Sequence, residues 1–406
     1  MLKAATTALP AGSANSTPDI PRTLAPLVLL VFLGFLAVGA PLSALSLHVH
    51  GALGFDATTV GLAIGLQSLA TVLTRHRAGV FSDRHGPKRA VLFGLPLAAI
   101  AGLLYAASTL LDGRDGALAL LLAGRVVLGF GESLFITGAL SWGIGRLGVA
   151  HAGKVISWQG IAMYAAIGLG APLGLALQTS LGFATVGALA ATTPIVAWLI
   201  ALALPATPAG GGGRVPFHRV LGLIWRPGLV LALATAPFAA LAAFVALAFA
   251  DRGWTNAGLA LVAFGVGYVT VRLFLGHLPD KFGGARVAAI SLAVEAAGQA
   301  LLWLAPVPAV ALLGALVTGA GFSLVFPAMG VETARRVPPA QRGRAIGNFT
   351  AFFDLSLLLT APVVGLAARS AGYPAVFAIG AAAALLALAV LPGLRRMSPA
   401  TAGERS

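Results

Sequence analysis

The run GLAIGLQSLATVLTRHRAGVFSDRHGPKR, Gly61 to Arg89, returns further along the chain as GLALVAFGVGYVTVRLFLGHLPDKFGGAR, Gly258 to Arg286. At a constant offset of 197, Gly61 falls on Gly258, Arg75 on Arg272, Gly79 on Gly276, Asp83 on Asp280, Arg84 on Lys281, Gly86 on Gly283 and Arg89 on Arg286. Each copy is an apolar run that closes in a short turn of glycine and charge. A match of this kind, in the same chain direction, means that one structural unit has been used twice.

Composition places that unit in lipid. Hydrophobic residues make up 58% of the chain and charged residues 9%, where a soluble domain carries about 25% charged residues. So few charges cannot build a water-facing surface, and 406 residues leave room for roughly a dozen spans of ~20 residues with short loops. The net charge of +14 does not mark a nucleic-acid binder, because the basic residues are scattered loop by loop and form no patch. With no cysteine there is neither a disulfide framework nor a thiolate metal site.

Apolar runs fall at about 24–47, 57–79, 89–111, 117–141, 153–178 and 183–204, and again at about 227–250, 256–279, 286–306, 308–332, 344–369 and 373–394. The sequence therefore predicts an all-α integral membrane protein of twelve spans in two six-helix bundles. Residues 1–22 are polar and contain three prolines, as a mobile tail would; residues 23–204 form the first bundle. Residues 205–219, with a four-glycine run, read as a linker, residues 220–394 as the second bundle and residues 395–406 as a second tail. Ala40-Pro41 answers Ala236-Pro237, and at an offset of 190 Pro172 answers Pro362. Halves related by a parallel repeat pack about an axis along the membrane normal and leave a cavity between them.

Lysines and arginines sort by alternate loops. One side receives Lys88, Arg89, Arg146, Lys154, Arg214, Arg219, Arg286, Arg335 and Arg336 with both tails, while the other receives only Arg114, Arg252 and Arg369. That bias predicts a multi-pass protein of the cell membrane, the inner membrane in a bacterium, with both termini cytoplasmic.

Twelve spans, a 6+6 repeat and a G-x-x-x-D-R-x-G-x-[RK]-[RK] turn between spans 2 and 3 resemble the major facilitator superfamily of secondary transporters, over nearly the whole chain. The first turn departs in Phe81, where leucine is common, and in Pro87 before the basic pair. The resemblance implies gating turns made of Gly79, Asp83, Arg84, Gly86 and Arg89 and of Gly276, Asp280, Lys281, Gly283 and Arg286. In the family this aspartate holds the two halves together at their cytoplasmic ends in one conformation; an ordinary solvated turn would use the same residues. Arg125-x-x-x-Gly129-x-Gly131 in span 4 is similar to a family pattern, and Gly168 to Gly174 in span 5 is similar to the glycine-proline run of proton-linked exporters, with Gly-Ala-Pro in place of Gly-Pro. Any tightly packed span would also use such small residues.

An ionisable side chain inside a span is costly unless paired or wetted, so each one is a functional candidate. Arg125 and Glu132 lie two turns apart on one face of span 4, about 10 Å along the axis, too far to touch but close enough for water or solute to join them. Asp354 sits near the midplane of span 11. Asp354 and Glu132 are the candidate proton carriers, with Arg125 in the central cavity beside them; either carboxylate would equally serve as a static pair between the halves. Glu295, in span 9, faces away from the cavity in the family's arrangement. Arg75 and Arg272 read as side chains that snorkel to the inner surface, although their matched placement leaves a gate role open. Gln67, Trp158, Gln159, Tyr164, Tyr268, Asn348, Phe352 and Phe353 are candidates to line a substrate cavity, although polar residues also glue helices and aromatics also face lipid.

No G-x-x-x-x-G-K-[ST] is present, which argues against ATP-driven transport. His48 and His50, two apart, share no helix face, so no metal site is expected there, and no cofactor or catalytic residue is expected elsewhere. The sequence thus points to a non-enzymatic secondary transporter whose partners are a small molecule, protons and the bilayer, acting as a monomer. Proton-coupled efflux is the preferred direction; symport of a sugar, organic acid or amino acid is the alternative, and a sensor that no longer transports is the rival from another class.

Overall fold

The computed structural model describes residues 20–148, 151–209, 217–337 and 342–392. Most of the first tail, the glycine run of the linker and the second tail lie outside the described residues. Helices run α1 (Ile20–Leu47), α2 (Ala57–His85), α3 (Pro87–Ser108), α4 (Arg114–Leu147), α5 (Ala152–Leu181) and α6 (Phe183–Ala203), then α7 (Phe217–Asp251), α8 (Gly258–Leu275), a short α9 (Leu278–Phe282), α10 (Gly284–Leu304), α11 (Pro308–Ser323), α12 (Val325–Arg335), α13 (Arg342–Ala371) and α14 (Tyr373–Val390). Among the described residues twelve helical segments are long and apolar enough to span a membrane, α11 and α12 counting as one.

Local chemistry sets most boundaries. Asp56 caps α2, accepting from the Thr59 amide at 2.8 Å and its hydroxyl at 2.7 Å. In the repeated turn Gly86 has φ 91° and Gly283 φ 87°, a region that glycine enters without steric cost. Each glycine ends one helix, donating its amide to the carbonyl of Ser82 or Pro279, and lets the next begin at once. Three boundaries depart from the sequence expectation. The first helix already takes in Ile20 and Pro21, ahead of the expected residue 24. Helix α7 already takes in Phe217, inside the expected linker. Span 10 breaks at Leu324 because Pro327 cannot donate to the Ser323 carbonyl.

The seam between the halves is made of α2 against α13 and α5 against α8, with α1 beside α7. A Cβ at Gly61 would strike the backbone of Ala361 and Pro362, and a Cβ at Gly258 would strike that of Pro172. Gly61 and Gly258 are the repeated glycines, and Pro172 and Pro362 the repeated prolines, so one contact is made twice across the seam. Close by, Gly168 lies on the Leu261 carbonyl and Gly365 on that of Ala57. Ser46 donates to the Ala243 carbonyl at 2.8 Å, worth roughly 0.6 kcal/mol in such a setting. Arg369 pairs with Asp56 at 3.1 Å. All of these contacts join the halves at the end opposite the Lys88 and Arg286 turns, so that end is shut.

Candidate functional site

A cavity lies between the halves. Its inner part is lined by Phe35, Val38, Ile64, Gln67, Thr71, Arg125, Glu132, Tyr164, Phe238, Phe353 and Asp354. A second hollow shares Phe35, Glu132, Tyr164, Phe353 and Asp354 with it and continues toward the basic end past Arg75, Leu140, Gln159, Tyr268, Arg272, Phe322 and Phe326. Helices α3, α6, α10 and α14 contribute nothing to either lining.

One wall is polar. Asp354, 2% exposed, accepts from Arg75 Nη2 at 2.8 Å, and Arg75 Nε also pairs with its other oxygen. This ion pair joins α2 of the first half to α13 of the second. Below it Gln67 donates to Glu132 at 2.6 Å. Arg125 does not reach Glu132; it donates to the carbonyls of Ala63 and Ile64 at 3.1 and 3.2 Å, so it binds α4 to the backbone of α2. Thr71 reinforces the same contact through the Gly129 carbonyl at 3.2 Å. The glycines make this possible, since a Cβ at Gly129 would meet the Gln67 carbonyl.

The opposite wall is aromatic. Tyr164 packs against Tyr268 at 4.0 Å between ring centroids, Phe238 at 5.2 Å and Phe322 at 5.7 Å, and Phe238 reaches Phe264 at 5.1 Å. Arg272 donates to the Tyr268 hydroxyl at 2.5 Å. The duplication explains the contrast. At the offset of 197, Gln67 corresponds to Phe264, Thr71 to Tyr268 and Arg75 to Arg272; at 190, Glu132 corresponds to Phe322 and Tyr164 to Asp354. The second register is anchored by packing, for Gly319 lies on the Phe264 carbonyl as Gly129 lies on that of Gln67. Hence the Gln67–Glu132 hydrogen bond of one half is replaced by a Phe264–Phe322 ring contact in the other. Where Arg75 finds a carboxylate, Arg272 finds a phenol. The scaffold stayed symmetric while the site did not.

Of the residues singled out in the sequence, Asp354, Glu132, Arg125, Gln67, Gln159, Tyr164, Tyr268 and Phe353 line the cavity together. Three expectations are corrected. Arg75 and Arg272 do not snorkel: each turns inward, to Asp354 and to Tyr268, because a guanidinium with a partner inside gains more than one that reaches for the surface. Trp158 is 43% exposed on the outer face of α5 and absent from the lining, one helical position from the buried Gln159. Phe352 lies against Gly228 of α7, leaving the lining to Phe353. The side chain of Asn348 lies outside the described residues. Glu295 is fully buried between α10 and α11, away from the lining, with no hydrogen-bond partner for either oxygen among the described residues.

Phe238, Phe264 and Phe322 were missed. In a span, aromatic residues look alike whether they face lipid or a cavity; the repeat register, which sets Phe264 on Gln67 and Phe322 on Glu132, was the signal that could have found those two, and nothing in the sequence marked Phe238. In the turns, Asp83, Arg84 and Arg89 are exposed, as are Asp280, Lys281 and Arg286; Gly79 has open space around it, whereas Gly276 lies on the Arg272 carbonyl. Lys88 donates to the carbonyls of Leu202 and Leu204 at 2.8 and 2.6 Å, closing the end of α6. In the second turn Glu332 accepts from the Ala285 amide at 3.2 Å.

Comparison with known proteins agrees with this architecture. The family model of the Major Facilitator Superfamily matches residues 27–256 and 253–406. An uncharacterized MFS-type transporter of Salmonella typhimurium is 45% identical over 367 residues, 90% of this chain and 95% of its own length. Another, of Burkholderia mallei, is 43% identical over 388 residues, covering 94% and 95%. Among solved structures, a D-xylose-proton symporter superposes with a TM-score of 0.72 at 17% identity, over 92% of this chain and 97% of its own, a likeness of fold. The repeated seam, the cavity between two six-helix bundles and the family match lead to one conclusion: this chain belongs to the Major Facilitator Superfamily, a multi-pass membrane protein that acts as a secondary transporter and not as an enzyme.

Proposed function

We propose that this transporter couples the movement of a small solute to protons at Asp354, in a monomer that alternates access to the central cavity. The observation that carries this reading is the Arg75–Asp354 pair, with Asp354 buried and Arg75 half-buried on the cavity wall, joining the two halves. Removing Arg75 would leave the Asp354 charge buried and alone, a situation that costs about 3–5 kcal/mol. Protonating Asp354 takes the ion-pair partner from the half-buried Arg75, so a proton changes how α2 and α13 are held. Glu132, on the same wall, is the second candidate carrier, and the Asp83 and Asp280 turns are the gates. By the bias of its basic loops, the chain sits in the cell membrane with both termini and the Lys88 and Arg286 turns in the cytoplasm; the cavity then faces inward in this conformation.

The site gives the coupling a sign. A protonated Asp354 leaves the charge of Arg75 uncompensated, so a solute that supplies hydrogen-bond acceptors or negative charge binds together with the proton, and by reciprocity the proton binds better beside that solute. Mutual assistance is the signature of symport, the direction that the geometry favours. Export by antiport is the second reading, supported by the resemblance of the Gly168 to Gly174 run to proton-linked exporters. The same glycines also let α5 approach α1 and α8, with Gly174 on the Ala40 carbonyl and Gly168 on that of Leu261.

Reconstitution into proteoliposomes tests the reading, with solutes found by their stabilisation of the folded protein. Asp354→Asn is expected to abolish accumulation driven by an acid-outside gradient while counterflow exchange continues. Unchanged accumulation removes Asp354 from the mechanism. A gradient that drives the solute out of the vesicle lumen toward the acidic side establishes antiport instead of symport.

A further inference from the structure

We infer that the solute is a small organic anion with a flat aromatic body, and that Arg272 is the residue that binds its carboxylate or sulfonate. The inference rests on the coupled-transport reading above and deepens it. Three guanidinium groups, Arg75, Arg125 and Arg272, face the connected hollows, against two carboxylates, Glu132 and Asp354. The cavity therefore holds one positive charge in excess, and two when Asp354 is protonated.

The excess has an address. Arg75 has Asp354, and Arg125, although its Nη1 has no partner among the described residues, is tied to the backbone of α2 by two carbonyls. Arg272 is 5% exposed, makes no ion pair among the described residues, leaves its Nε without a partner and has only the Tyr268 hydroxyl as acceptor. A buried guanidinium carries five donors and cannot shed its proton, so at membrane depth it is retained where something in the cavity answers it. Its guanidinium carbon lies 5.2 Å from the Tyr268 ring centroid, and that ring belongs to the aromatic wall of Tyr164, Phe238 and Phe322. An anion at Arg272 thus places whatever carries it against ring faces, where a flat body stacks. A cation would meet the opposite arrangement: both cavity carboxylates are already engaged, by Arg75 and by Gln67. The proton follows the same logic, because each proton taken up at Asp354 makes the cavity more attractive to an anion.

The test uses the full chain in detergent and in proteoliposomes with two congener series on indole and naphthalene bodies, each as acetate, acetamide and ethylamine. The acetates are expected to raise the melting temperature and to bind more tightly than their amides and amines. In Arg272→Gln the acetates are expected to lose about tenfold or more in affinity, the size of a hydrogen bond to a charged group, while amide binding stays unchanged. Arg272→Lys is expected to recover part of the loss, since a point charge replaces the fork. Tighter binding of the amines, no stabilisation by either acetate, or an equal loss for acetate and amide in Arg272→Gln overturns the anion assignment. The two readings fail separately. Amines that bind and move under a proton gradient sink the anion and keep the coupling, whereas acetates that bind through Arg272 but move under no gradient keep the anion site and sink the coupling.

Discussion

The ionisable side chains around the cavity are met by different partners, residue by residue. Asp354 is met by Arg75, Glu132 by Gln67, Arg125 by carbonyls and Arg272 by a phenol. At the shut end Asp56 is a contrasting case, half-buried and at the start of α2. The Thr59 amide, then its hydroxyl, and more weakly Arg369 of the other half hold the Asp56 carboxyl below the ordinary carboxylate range. A lowered value means that the charged form supports the closed end at all pH above that range, and that the support is lost only as pH falls through the depressed value. The share of closure supplied by this carboxylate is accordingly expected to be flat in pH from 5 to 8 (about 4 being where free aspartate titrates). Asp56→Asn keeps an equally good cap and removes only the ion pair. It is expected to weaken closure by no more than about 1 kcal/mol, an effect that high salt erases; modification of an outer-end cysteine at Ala52 in this cysteine-free chain measures it. A larger or salt-independent effect would mean that Asp56 does more than pair with Arg369.

How far such residues could be read in advance depends on what their type reveals. Depth along a helix follows from counting, so Asp354, Glu132, Arg125 and Gln67 were legible as interior groups. Their partners were not: the position of Arg75 on α2 gives its height but says nothing of α13 passing beside it, and a surface location was the natural expectation. Trp158 and Phe352 failed for a related reason, since one residue along a helix turns a side chain by about 100° and out of the cavity.

At the scale of elements, the seam rests on the absence of side chains. Gly61 against Pro362 and Gly258 against Pro172 are one contact in two copies, and helices without a hydrophobic drive toward one another hold together by such close approach. Gly61→Val and Gly258→Val are each expected to cost about 1–3 kcal/mol of the closed form, as overpacking does, and to expose the outer-end cysteine to a membrane-impermeant reagent. Gly79→Ala, in open space near the basic end, is expected to change neither. If the two valines behave differently, the pseudo-symmetric account of the seam is wrong. This level was the most legible of all, because glycines that recur at an offset of 197 and prolines that recur at 190 mark matched surroundings in the fold; the break at Leu324 depended on a single proline.

For the whole molecule, duplication built a symmetric frame, and divergence then placed a charged wall on one side of its cavity and an aromatic wall on the other. The frame supplies alternating access, and the divergence supplies selectivity. Composition, periodicity and the two long repeats carried the frame into the sequence plainly, while the walls became readable only once α2 and α8 were laid in one register.

The central claim is that the two halves exchange closure at one end for closure at the other. Electron–electron distance measurements between spin labels on two double-cysteine variants test it most directly: Ala52→Cys with Thr255→Cys at the shut end, and His85→Cys with Phe282→Cys on the two repeated turns, all four positions exposed. On adding a solute that stabilises the protein and lowering the pH, the account predicts that a second population grows in both, longer at the first pair and shorter at the second. Distances that stay single, or that lengthen or shorten together at both ends, contradict it.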